Sequence, residues 1–272
     1  MALIVVGSAK GAPGTSTAAL GLASVWGRGS LLVEADENGG DLVYRHAGDN
    51  GAALNPEKGL LSLAVATRGG RPMSVPMLWE HTQKLNGGLD VLVGPSGPEQ
   101  ATAWSGLWLN LGRALAAMGD TDAIVDVGRI GPRSSNADLL SSASLVLLVA
   151  RTHAEDLAAV RDRAAAVVAR LGAGGAPVGI LLVAPRREWN RAAAGLGQLL
   201  VGAGVGAEVL GCIEEDPDGA AQLAGRKGGR VAKSKLLRSA RLVVTNIGGR
   251  YGLGRESSGQ HASTAGRATA AV

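Results

Sequence analysis

Short, unbroken apolar runs recur along the chain, separated by stretches with helical spacing of apolar residues. The run ALIVVG at 2–7 closes on glycine and predicts a buried strand. SLLVEAD (30–36), GLDVLVGP (88–95), DAIVDVG (122–128), ASLVLLVA (143–150), PVGILLVAP (177–185) and AEVLGCI (207–213) repeat it. Helices are predicted over Ser16–Trp26, Pro98–Met118, Ala154–Leu171 and Glu188–Val201, with a shorter one inside 59–70 closed by glycines. Trp104 and Trp108 fall one turn apart in the second of these, a spacing that suits core or partner packing more than base stacking. Continuous apolar strands alternating with helices predict an α/β fold: a doubly wound, mostly parallel sheet with helices on both faces. Such sheets bind ligands beyond the carboxyl ends of their strands. Three strands bring polar or glycine-rich residues there: Gly7–Thr17, Glu34–Asp36 and Asp126–Gly128.

Composition narrows this picture. The chain has 272 residues, the size of one large α/β domain, and we expect a single domain over 1–250. Phe is absent and aromatics are 3%, so Leu, Val, Ile and Ala must fill the core. Cys212 is the only cysteine, which excludes an intramolecular disulfide and speaks against a cysteine-held metal. The four histidines show no ligand spacing. No apolar stretch reaches the ~20 residues of a membrane span, and a cytoplasmic protein is expected. The segment 251–272, small and polar, is expected to be a disordered tail.

The stretch GSAKGAPGTST (7–17) lies between a predicted strand and a predicted helix. A glycine-rich loop there aims backbone N–H groups at an anion, at the positive end of the helix. Ser16 or Thr17 offers a hydroxyl to Mg²⁺. A dinucleotide site is the rival, with Glu34 or Asp36 on a ribose. The glycine spacing differs from the nicotinamide pattern, however. Neither Tyr44 nor Tyr251 is followed four residues on by the lysine a short-chain dehydrogenase needs. A ligand-free turn is the remaining alternative.

KGAPGTST (10–17) resembles the deviant Walker A motif of the MinD/ParA ATPases, K-G-G-x-G-K-[ST]-T. LLVEADENGGDL (31–42) is similar to the family's D-x-D strand and switch. GLDVLVGPSGPEQ (88–100) is similar to a segment of the CpaE/TadZ branch, DAIVDVG to the Walker B strand, and 144–160 and 209–225 to later segments. Together they span roughly residues 1–245. The resemblance implies a P-loop NTPase-like fold, ATP and Mg²⁺ as cofactors, and a nucleotide-sandwich homodimer. It assigns Lys10 to the lysine that reaches the phosphates across the dimer and Asp36 to the residue that orients attacking water. Gly11, Ala12, Pro13, Gly14, Thr15, Ser16 and Thr17 fall on the nucleotide loop, and Ser16 and Asp126 on the Mg²⁺ positions. It also implies a protein partner in a pilus, secretion or division assembly, reached from the cytoplasm.

Three departures qualify the resemblance. Thr15 replaces the P-loop lysine. Ala12 and Pro13 stiffen the loop. Ala184 stands where the family commonly has an adenine-contacting Asn. Losing a charge-assisted hydrogen bond of roughly 1.5–3 kcal/mol weakens affinity on the order of 10–100 fold. Hydrolysis suffers further, because the lysine charge acts most strongly in the transition state. Lys10, Arg129 or Arg133 are the candidate replacements.

Charge adds one more feature. Net charge is +4, yet no acidic residue occurs between Gly219 and Arg255. Arg226, Lys227, Arg230, Lys233, Lys235, Arg238 and Arg241 are expected on the last helix, either as a solvated face or as a surface for the DNA backbone. The reading taken forward is a positioning or assembly factor with a degenerate nucleotide site. An active ATP-driven switch and a DNA-binding partition protein are the alternatives.

Overall fold

The computed structural model describes residues 2–10, 14–102, 104 and 106–254. Within them lie eight strands: β1 (Leu3–Ser8), β2 (Ser30–Glu34), β3 (Gln83–Lys84), β4 (Asp90–Leu92), β5 (Asp122–Arg129), β6 (Leu145–Arg151), β7 (Val178–Ala184) and β8 (Ala207–Glu214). They form one sheet in the order β3-β4-β2-β5-β1-β6-β7-β8. Every pairing is parallel except that of the two-residue edge strand β3 with β4. β1 lies between β5 and β6, so the chain winds to both sides of it. This places the reversal of strand order, where such folds bind ligands, beside the carboxyl end of β1. The expected doubly wound fold is what the chain adopts.

The described helices are α1 (Thr15–Ser24), α2 (Leu42–Arg45), α3 (Leu60–Ala66), α4 (Val75–Glu80), α5 (Pro98–Thr102), α6 (Leu107–Ala116), α7 (Ala154–Leu171), α8 (Trp189–Gly202), α9 (Pro217–Leu223) and α10 (Lys235–Tyr251). Successive strand residues point to opposite faces, which divides the core in two. Leu3, Val5, Leu31 and Val33 pack with Trp108 and Leu111 of α6 and with α7 and α8. Ile4, Val6 and Leu32 pack with Leu22 of α1 and with Val243 and Ile247 of α10. At the start of β5, buried Asp122 accepts from the N–H of Ala2 (2.6 Å) and from Trp26 Nε1 (2.8 Å), tying three elements together.

Two expectations change. The single helix over Pro98–Met118 is two helices, and Trp104 lies between them. Gly106, a weak helix former, stands at the N-cap of the second. The break lets both indoles bury, edge to face with centroids 6.3 Å apart. The basic segment is also not all on the last helix. Arg226, Lys227 and Arg230 lie in the loop after α9 and Lys233 in a short 3₁₀ turn, leaving Lys235, Arg238 and Arg241 on α10. Asp216 sets this start. Its carboxylate caps α9 through Gly219 N–H and also accepts from the N–H groups of Lys235 and Leu236. Burial opposes its charge, yet those three bonds and Lys235 hold its pKa below the ordinary value. Ser234 caps α10 by accepting from Leu237 N–H.

α10 runs to Tyr251, Leu253 packs on the core, and Gly254 lies against Trp26. The rest of the expected tail, 255–272, falls outside the described residues. No described helix is long and apolar enough to cross a membrane.

Candidate functional site

The cleft at the carboxyl ends of β2 and β5 is walled by the first turn of α1 and the loop after β2. Ser16, Thr17, Glu34, Asp36, Arg45 and Asp126 are among its lining residues. Gly14 opens α1 with φ 86°, a conformation that glycine adopts without strain. Gly11, Ala12 and Pro13 lie outside the described residues. Lys10 precedes them and is exposed.

Thr15 is completely buried and its Oγ1 has no hydrogen-bond partner among the described residues. A short neutral side chain in that place supplies no charge to a phosphate, and a buried unpaired hydroxyl has a cost of about 1–3 kcal/mol. Ser16 follows on the open side, lining the same cleft as Asp126, and its hydroxyl favours the charged form of that carboxylate. Asp126 also accepts from Gly128 N–H at 2.9 Å. Burial pushes the Asp126 pKa up to about 6; the Ser16 hydroxyl and the Gly128 bond pull it down, and nearby Asp36 and Glu34 raise it. A serine hydroxyl and a buried carboxylate lining one cleft suit a hard divalent cation with oxygen ligands. The donor set therefore fits Mg²⁺, while position 15 does not fit a phosphate-binding cation.

The acidic strand ends have structural duties as well. Glu34 is buried at the end of β2. Its Oε1 accepts from Asp41 and Leu42 N–H (2.9 and 3.0 Å) and its Oε2 from Gly94 N–H (3.2 Å). Burial is the larger influence and keeps its pKa above the ordinary value despite those bonds. Asp36 accepts from the backbone and side-chain nitrogens of Asn38, both at 2.9 Å, in a tight turn. Its carboxylate presses on Gly128, where a Cβ would stand 2.0 Å from Oδ2 and where φ is 62°. Only glycine fits there.

Sequence reasoning missed Glu37 and Asn136. The Glu37 carboxylate accepts from the N–H and hydroxyl of Ser135 and from Asn136 N–H, at the start of the 3₁₀ helix Ser135–Ser142. Buried Asn136 donates to the carbonyls of Ala35 (2.7 Å) and Val127 (3.0 Å). Trp108 Nε1 reaches Ser135 Oγ at 3.0 Å. The loops after β2 and β5 are thereby clasped together. No short-range pattern signals this, because the partners are about a hundred positions apart.

The remaining candidates are dispersed. Arg129 and Arg133 are exposed and do not line the cleft. Arg45 is the only Lys or Arg among the described lining residues, and it pairs with Asp41. Ala184 is buried at the end of β7, where its carbonyl accepts from Trp189 Nε1 at 3.0 Å and Arg186 lies over that indole. All seven basic residues from Arg226 to Arg241 are exposed. Lys227 pairs with Asp218 and Lys235 sits 3.9 Å from Glu214, while no ion pair among the described residues engages Arg226, Arg230, Lys233 or Arg238.

Strand order, with β1 between β5 and β6 and parallel pairing throughout the centre of the sheet, defines a doubly wound α/β architecture. Solved proteins with this architecture share the fold of the chain. A ParA family ATPase from Chlorobium tepidum TLS superposes with a TM-score of 0.68 at 17% identity, over 90% of this chain and 97% of that one. The septum site-determining protein MinD of Pyrococcus horikoshii OT3, solved with Mg-ADP, gives 0.62 at 17% identity, over 90% and 95%. Apo McdA of Cyanthece gives 0.61 at 16% identity, over 90% and 99%. No protein-family model matches the chain, and no curated protein matches it in sequence.

Proposed function

We propose that the chain is a MinD/ParA-like positioning or assembly factor. It works as a cytoplasmic homodimer on a cell-envelope machine of the pilus or secretion type, nearest the CpaE/TadZ branch, and its nucleotide site is degenerate. It binds Mg-ATP weakly and hydrolyses it little. The observation that carries this reading is the contrast between buried Thr15, whose hydroxyl has no partner among the described residues, and the neighbouring Ser16 and Asp126. Ser16 and Asp126 would hold Mg²⁺, which would neutralise phosphate charge in a cleft whose described lining includes four carboxylates and one arginine. Lys10 is the remaining lysine for the phosphates, acting across the dimer, and Asp36 is the residue to orient water in whatever turnover survives. The shared fold of McdA, MinD and the ParA family ATPase supports the positioning role.

Calorimetry with millimolar Mg-ATP, paired with solution mass with and without nucleotide, tests the reading. We expect weak heat, a dimer in both conditions and negligible phosphate release. Thr15→Lys should bind about 10–100 fold tighter, the worth of one charge-assisted hydrogen bond. Brisk turnover by the unaltered chain would establish the active switch instead, and a monomer in every condition would remove the dimer.

The unpaired, exposed cations of the basic segment favour a second reading, non-specific attachment to DNA. Binding in a mobility assay at low salt should fall steeply as salt rises, and its absence at low salt ends this reading.

A further inference from the structure

On the face of the sheet opposite α1 and α10, a groove runs between α3, the loop after it, and α6. One half is floored by Leu61, Ala64, Trp104 and Leu107, with Met73 and Val65 at its side. The other half continues past Met73 and Asn110 to Arg71, Val75 and Arg113. Val65, at the lip of this groove, is 52% exposed.

The charge around this floor has one sign. Arg68 and Arg71 stand on the loop and Arg113 on α6, all exposed, and no ion pair among the described residues engages them. No Asp or Glu occurs in 58–79 or 100–119, the segments that build the walls. A trough with apolar side chains on its floor, whose charged lining residues are all arginines, complements an amphipathic segment carrying carboxylates along its edge.

We propose that this groove docks an acidic amphipathic segment of a protein partner. The partner's apolar side chains seat over Trp104, Leu107 and Val65, and its carboxylates meet Arg68, Arg71 and Arg113. The chain's own C-terminal segment does not suit. Residues 255–272 hold one acidic residue and two arginines, and Gly254, which precedes them, lies beside Trp26 on the other face. The proposal is independent of the nucleotide reading, because neither half of the groove shares a residue with the cleft.

Fluorescence anisotropy without nucleotide tests it. The probes are a labelled helical peptide with leucine and tryptophan on one face and glutamate on the other, and a twin with lysine for glutamate. The glutamate peptide should bind at low salt at least about tenfold tighter than the lysine twin, and more weakly at physiological ionic strength. Arg68→Glu/Arg71→Glu/Arg113→Glu should reduce binding about tenfold or more, as should Val65→Asp alone, which keeps the arginines. Arg230→Glu/Lys233→Glu should leave it unchanged. The proposal is overturned by absence of binding at millimolar peptide, or by binding lost in the basic-segment variant but not the groove variants. It is equally overturned if the groove holds a second copy, seen as a doubled solution mass that Val65→Asp abolishes.

Discussion

On the α1 side of the cleft, Thr15 is buried with its hydroxyl unpartnered among the described residues, and Lys10 stands exposed before the loop. On the strand side, Glu34, Asp36 and Glu37 each accept at least two hydrogen bonds, and Asp126 accepts from Gly128 N–H. Among the described residues the α1 side of the cleft presents no Lys or Arg, whereas the carboxylates of the strand side accept hydrogen bonds from the protein. The carboxylates are held by the protein's own N–H groups, so their geometry does not depend on a nucleotide.

Glu34→Ala is the severest test of that contrast. It strips the acceptor from three backbone N–H groups in a buried setting, and we expect a loss of about 3 kcal/mol in urea unfolding. A loss below about 1 kcal/mol would mean these groups find other partners, and the acidic wall would then be chemical rather than structural.

Asp126→Asn should act in the opposite direction. With a folded pKa near 6 against an ordinary value of 3.8, the native state holds its proton more tightly than the unfolded chain. Stability contributed by the protonated form is present below the unfolded value and is lost as pH rises toward 6. In chelator, the amide should therefore gain on the order of 2 kcal/mol at pH 7, gain little near pH 3, and flatten the slope between. An unchanged slope would break the assignment of burial as the dominant influence.

Glu37→Ala should cost about 1–2 kcal/mol and speed amide hydrogen exchange across 135–142, since it opens the clasp between the two loops. Exchange unchanged there would mean Asn136 alone holds the loops. The smallest effect belongs to Arg230→Glu/Lys233→Glu. These exposed residues should shift stability by no more than about 0.5 kcal/mol while abolishing low-salt DNA retention, if the segment binds DNA.

Much of the architecture was legible in the chain. Unbroken apolar runs such as ALIVVG and LVLLVA announce strands covered on both faces, because a residue that faces a helix on either side must be apolar. The acidic ends of β2 and β5 were legible for the same reason, as polar residues that end an apolar run. The break at Trp104 was not: helical spacing was satisfied, and the burial of two indoles outweighed it. The start of α10 was also hidden, because Asp216, the residue that sets it, is local to α9 in sequence and reaches the later helix only through the fold.

By itself, then, the amino-acid order determined the elements, their burial, and the identity of the groups at the strand ends, since these follow from local periodicity and from the one-sided chemistry of apolar runs. Only the tertiary structure decided which of those groups meet. Burial of Thr15, the placing of Ser16 and Asp126 in one cleft, the Glu37 clasp on Ser135 and Asn136, and the arginine-lined groove all join segments far apart in the chain or depend on what covers them. Burial and hydrogen bonding between distant segments are properties of packing, and no local pattern encodes them.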